Sequence, residues 1–71
     1  MRSHQYDAVE LLREVKGRDM RARCIRAYPA GVRGQISYVA DDDAYVVEIL
    51  ERGYAPALVD ATDADLNAVA E

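Results

Sequence analysis

Phenylalanine and tryptophan are absent from this chain of 71 residues, and cysteine and histidine occur once each. A lone cysteine, Cys24, can form no intrachain disulfide and no cysteine-based zinc site. It reads as a small, half-buried residue suited to a reducing compartment. His4 lies in the N-terminal stretch MRSHQYD, whose first five residues are expected to be flexible, and is a poor candidate for a catalytic base. No apolar run reaches the roughly 18 residues that a membrane helix needs, and the N-terminus carries no apolar signal core. The expected location is the cytoplasm, with no membrane contact.

With those aromatics missing, the core must be built from eight Val, five Leu, three Ile and five Tyr. A chain of this size buries only about 60% of the surface its unfolded form exposes. Covering one more face by self-association would add to its stability.

Glycine is also scarce, with four in the chain. Two of them frame Gly31-Val32-Arg33-Gly34, which is too short for a phosphate loop and lacks its lysine and Ser/Thr. The motif precedes a strand rather than a helix N-terminus, so it reads as a corner of the chain. Asp41-Asp42-Asp43 lacks the alternate spacing and the distant bidentate Glu of a calcium loop, and reads as a solvated hairpin tip. Asp60, Asp63 and Asp65 are spaced for local capping of backbone N–H groups. No catalytic set, metal site, cofactor or small-molecule substrate is therefore expected, and the chain reads as non-enzymatic.

Charge is the least ordinary feature. Residues 1–36 hold eight basic and four acidic side chains, and residues 37–71 hold one basic and nine acidic, within a net charge of −4. The basic stretch runs from Arg13 to Arg33. Within it Arg18, Arg21, Arg23 and Arg26 are candidates for contact with an anion or a partner.

Residues 6–71 read as a single domain. VRGQISYV (32–39) and AYVVEILE (44–51) alternate as strands, joined by an acidic connection over 40–43. Gly34 inside the first run marks a bulge, a bend or a close backbone approach. ALVDAT (57–62) reads as a further short strand, and Thr62 with Asp65 three on predicts a helical turn near 62–66. Residues 67–69 fit either a continued helix or a last strand. Residues 16–30 read as a long, partly ordered loop, with room for a short strand around 23–27. YDAVELLREVKG (6–17) fits two patterns. As a helix it would start at Asp7 and stop at Gly17; as a strand Val9, Leu11 and Val15 would share a face.

The succession of YDAVELL, a loop, GVRGQISYV, an acidic turn, AYVVEIL and ALVDATDADLNAV resembles a small bacterial family known as domain of unknown function 4926. The resemblance covers roughly residues 6–15 and 31–69. It implies an all-β fold, an SH3-like barrel of about five strands near 7–15, 32–39, 44–51, 57–61 and 67–69, with the first segment a strand. The arginine-rich loop over 16–30 is longer than that pattern has. The expected core is Val9, Leu11, Val15, Val32, Ile36, Tyr38, Tyr45, Val47, Ile49, Leu58, Leu66 and Val69. Leu12, Val46 and Leu50 are left on the opposite faces as a candidate interface. The function expected is a protein-interaction or accessory module that meets a protein partner or its own copies. The alternative is a nucleic-acid-binding barrel that uses the arginines of residues 13–33.

Overall fold

The computed structural model describes residues 4–69. The fold is all-β, and its only helical element among them is a 3-10 turn at Asp63–Asp65. Seven strands follow in chain order: β1 (Ala8–Leu11), β2 (Val15–Asp19), β3 (Cys24–Tyr28), β4 (Arg33–Asp41), β5 (Ala44–Ile49), β6 (Ala57–Thr62) and β7 (Leu66–Ala68). They form one antiparallel sheet in the order β3-β2-β6-β5-β4-β1-β7. The sheet has two open edges, β3 and β7, and so is not a closed barrel. Its thirteen buried apolar residues nevertheless form one cluster drawn from every strand. A single sheet with no second layer reaches that state only by curling over its own inner face.

The expected strand over 7–15 is two strands. β1 stops at Leu11, and the chain re-enters the sheet at Val15 as β2, far across it beside β6. The helix signals at Asp7 and Gly17 are local, and strand pairing overrides them. Gly17 sits in mid-strand opposite Val59, where a side chain would collide with it. The expected loop over 16–30 is likewise a hairpin, in which β2 and β3 pair from Val15 opposite Tyr28 to Asp19 opposite Cys24. A polar sequence masked it because β3 is an edge strand with four of its five residues exposed. Cys24 is therefore exposed rather than half-buried.

The β4–β5 hairpin forms as expected, although β4 runs on to Asp41 and the turn is only Asp42 and Asp43. Gly34 makes a close approach to the backbone of β5 at Glu48. Ile36 pairs with Val47 but Tyr38 pairs with Val46, so Ser37 is an extra residue in β4. That bulge turns Tyr38 outward, and it is 60% exposed instead of lying in the core. Two further core assignments change. Leu58 and Val69 are half-buried, and the inner face of β6 is Ala57, Val59 and Ala61. Leu58 shares its face with Asp60, so burying the leucine would have buried the carboxylate. Tyr28, outside the expected core, is 2% exposed.

The helical turn expected near 62–66 is present. The Asp65 carboxylate accepts the Thr62 backbone N–H at 2.8 Å, and β7 follows directly, which settles residues 67–69 as mainly strand. Part of the N-terminal stretch expected to be flexible, residues 1–3, lies outside the described residues. The next residues lie against β4, with the Gln5 amide donating to Ser37 O at 3.1 Å and the Tyr6 N–H to Ile36 O at 2.7 Å.

Candidate functional site

The arginine stretch becomes a defined object in the fold. β2 and β3 form an antiparallel hairpin at one edge of the sheet, and its tip is residues 20–23. Arg23 holds a left-handed backbone (φ 56°), and its N–H donates to the Asp19 carbonyl at 2.8 Å. The Asp19 side chain organises the tip. Its Oδ1 accepts the Arg21 and Ala22 backbone N–H groups, each at 2.9 Å. Its Oδ2 faces Arg26 Nε at 3.0 Å. An aspartate that opens a turn in this way replaces backbone partners the loop cannot supply.

The pleat sorts the expected contact residues. Arg18 lies opposite Ile25 and Leu58 on the outer face, and Arg26 lies opposite Gly17 on the inner face, beside Asp19. Arg21 and Arg23 are at the tip. All four are exposed and all belong to one hairpin, but they do not share one face. Arg18, Met20 and Arg23 line a hollow of about 410 Å³.

On the inner side, Asp19, Arg26, Tyr28, Gly53 and Tyr54 line an open cleft of about 450 Å³ between the hairpin and the β5–β6 connection. The Tyr28 and Tyr54 rings are 5.8 Å apart, tilted by 52°. The Tyr28 hydroxyl is buried and has no protein hydrogen-bond partner. Burial, and next the negative charge of Asp19, push its pKa upward, so it stays a neutral donor. The Ala22 N–H holds the Asp19 carboxyl below the usual carboxylate range; burial opposes this, while the Arg21 N–H and the Arg26 guanidinium add to it. Sequence reading missed Asp19, Tyr28 and Tyr54. The order Asp19, a short basic loop and then Tyr28 before Pro29 was a usable sign, since Asp is a frequent turn opener.

The expected interface residues are scattered by comparison. Leu12 follows β1 and is 52% exposed, Leu50 follows β5 and is 59% exposed, and Val46 is half-buried in β5 opposite the outward-turned Tyr38. The acidic positions behave as local structure. Asp41, Asp42 and Asp43 are exposed at the hairpin tip, where the Asp42 N–H bonds Asp41 Oδ1 at 2.8 Å. Asp63 accepts the Tyr45 hydroxyl at 2.7 Å. Asp60 is exposed on the outer face of β6. Asp65 joins the 3-10 turn to the β1–β2 connection, pairing with Arg13 through its side chain. Among the described residues no group of three or more His, Cys, Asp or Glu side chains is placed to hold a metal ion. No helix among them is long and apolar enough to cross a membrane.

Asp19 and Asp65 together set an acid limit on the fold. Burial would raise the Asp65 carboxyl, but the Thr62 N–H, the Arg13 guanidinium and the Thr62 hydroxyl outweigh it, so its pKa is lowered. A carboxyl whose pKa is depressed by folding contributes stability above its unfolded value and loses it as pH falls through the folded value. The melting temperature of the wild-type protein is therefore expected to fall as the pH drops through the ordinary aspartate range and on through the lower folded values of these two groups. The double variant Asp19→Asn, Asp65→Asn is expected to start lower at neutral pH and to lose less on acidification. Parallel curves for the two proteins would show that these carboxylates are not the titrating groups.

No family model, curated protein or solved structure matches the chain.

Proposed function

We propose that this protein is a small non-enzymatic interaction module of the SH3-like kind whose working surface is the β2–β3 hairpin and whose partner is an acidic segment of another protein. The observation that carries this reading is an open edge strand set among cations. Between Val15 and Tyr28 the hairpin holds Lys16, Arg18, Arg21, Arg23 and Arg26 against the single carboxylate of Asp19. β3 has a neighbour on one side only. In an antiparallel ladder alternate residues bond to the same side, so half of its backbone N–H and C=O groups face the open edge. An extended segment can add there as a further strand, and the arginines select for acidic side chains. The likeness to the domain-of-unknown-function family supports only the SH3-like part of this reading, through its order of a first strand, a glycine corner, a hairpin and an acidic closing turn; the β2–β3 hairpin stands where that pattern has a shorter connection. Fold likeness alone does not assign a function, so the hairpin carries the argument.

The same cations favour the nucleic-acid alternative, and one experiment separates the two. A blocked peptide of alternating valine and glutamate is titrated against the protein, alongside single-stranded and duplex oligonucleotides, with light scattering to follow self-association. The peptide is expected to bind, and the triple variant Arg18→Glu, Arg21→Glu, Arg23→Glu to weaken it by about tenfold or more while melting normally. Oligonucleotide binding with a steep salt dependence and no peptide binding would transfer the hairpin to the alternative. Assembly of the protein with itself that the triple variant abolishes would make a second copy the partner.

A further inference from the structure

Arg23 stands in a conformation that its residue type disfavours. Among the described residues only it and Tyr6, glycines apart, hold a positive φ, which is 56° at Arg23. In that region Cβ crowds the backbone, a cost that glycine escapes and asparagine offsets with its short polar side chain. The turn asks nothing of the guanidinium. Main-chain N–H groups close the tip on Asp19, that of Arg23 on the Asp19 carbonyl at 2.8 Å. An arginine kept at such a position points to work done by its side chain.

That side chain is unspent. Arg13, Arg26 and Arg33 each face a carboxylate, whereas among the described residues the guanidinium groups of Arg18 and Arg23 have no ion-pair partner. Both residues are exposed, and with Asp19 and Met20 they line the hollow of about 410 Å³. Asp19 neutralises neither, because Oδ1 holds the Arg21 and Ala22 N–H groups and Oδ2 faces Arg26. Two guanidinium groups bring a double positive charge and two planar forks of N–H donors to one hollow. A carboxylate answers half of that charge and fills one fork. A phosphate monoester carries about −1.5 to −2 and three acceptor oxygens, enough for both. Met20, 50% exposed, supplies an apolar wall for the carbons that join such a phosphate to its chain.

We propose that this hollow is a phosphate subsite, in which Arg18 and Arg23 hold a phosphorylated side chain carried by the acidic segment that adds along β3. The inference rests on the hairpin reading above and specifies the group that the hairpin selects. Strand alternation is compatible with it, since the outward side chains of a strand added at β3 run beside Ile25, which lies opposite Arg18. A phosphodiester, with a single charge, answers only one of the two arginines, which sets this subsite apart from a nucleic-acid contact.

The test uses the full chain, the valine–glutamate peptide, the same peptide with phosphoserine in place of one glutamate, and inorganic phosphate. The phosphopeptide is expected to bind about tenfold more tightly than its parent at about pH 7.5. It should lose that advantage near about pH 5, where the phosphate falls to a single charge. Inorganic phosphate should shift the Nε–H resonances of Arg18 and Arg23. Arg23→Asn keeps a residue that tolerates the left-handed backbone, so it should melt at the same or a higher temperature than the wild type while binding both peptides equally. Arg18→Lys keeps the charge but loses the fork, and should also lose most of the preference. Equal affinity of the wild type for the two peptides, with no response to phosphate, overturns the subsite and leaves the hairpin reading standing. A response to phosphate when neither peptide binds overturns the hairpin reading and leaves the hollow as an anion site. A clear drop in the melting temperature of Arg23→Asn, or an undiminished preference in that variant, would show that Arg23 does not serve the phosphate, and would overturn the subsite as well.

Discussion

Replacing Gly34 by alanine is expected to lower the melting temperature by roughly 10–20 °C, among the largest effects of any single substitution in the chain. The reason is steric and has no soft component. A Cβ built on Gly34 overlaps the backbone carbonyl oxygen of Glu48 in β5 and meets Val47 Cγ1 at 3.0 Å. A side chain can rotate away from an added methyl group, but a carbonyl in the central β4–β5 ladder cannot move without pulling its neighbours. Overpacking of this kind costs about 1–3 kcal/mol, and more where the backbone is the obstacle. Stability of about 0.05–0.15 kcal/mol per residue gives a chain of this length roughly 4–10 kcal/mol in all. For domains of this size each kcal/mol moves the midpoint by about 4–8 °C. Gly17→Ala belongs with it, since its Cβ would run into Val59 and lie 2.8 Å from the Leu58 carbonyl oxygen. Gly31 provides the contrast. A Cβ there meets nothing within 4 Å, and only its φ of +93° resists a side chain, so Gly31→Ala should cost about 1–2 kcal/mol. Thermal unfolding followed by circular dichroism ranks the three. Equal losses at Gly34 and Gly31 would mean that β4 and β5 do not approach each other this closely.

Gly34 and Gly17 do the same steric work, yet only one of them is visible in the sequence. Gly34 is legible because a glycine inside an alternating Val, Ile and Tyr run marks a bulge, a bend or a close approach. Gly17 is not, because it closes a segment whose local pattern suits a helix, and its reason for being glycine is Val59, 42 positions away in the chain. Local signals were therefore sufficient for β4, β5, β6 and the 3-10 turn, whose strands alternate and pair in hairpin order from β4 to β6. They were insufficient for β2, and for β3 (Cys24–Tyr28) they offered only room for a short strand around 23–27. Those strands show no apolar alternation, since most of the hairpin lies outside the core; β2 is fixed by its long-range pairing with β6, and β3 by its hairpin with β2.

The candidate site divides along the same line. Its charge was legible, because clustering of arginine is a property of composition. Its geometry was not. Nothing in the order of residues says that Arg26 turns inward to Asp19 while Arg18 turns outward, because that depends on the hairpin register. Nor could composition place Tyr28 under a cleft whose far wall, Gly53 and Tyr54, comes from the connection between two other strands. The acidic half is instead consumed locally: Asp63 holds Tyr45, Asp65 holds the turn and Arg13, and the aspartates of the β4–β5 tip remain in solvent. Among the described residues no ion pair joins the hairpin's cations to the acidic half of the chain, and Arg26 pairs with Asp19 inside the hairpin.

Ile36→Ala is expected to destabilise the protein by about 2–5 kcal/mol, whereas Tyr38→Ala should cost less than about 1 kcal/mol. Both residues are two apart on one strand, so simple alternation places them on the same face and makes both core. The extra residue at Ser37 breaks that equivalence. Ile36 is 0% exposed and sits opposite Val47, itself 0% exposed, at the centre of the buried cluster. Deleting its three outer carbons leaves a cavity that a central ladder cannot collapse to fill. Tyr38, beyond the bulge, is 60% exposed and lies opposite Val46, so its loss resembles that of a surface cross-strand pair. Denaturant midpoints of the two variants, compared at a common m-value, measure the difference. A large loss at both positions would mean regular β4–β5 pairing with Tyr38 inside.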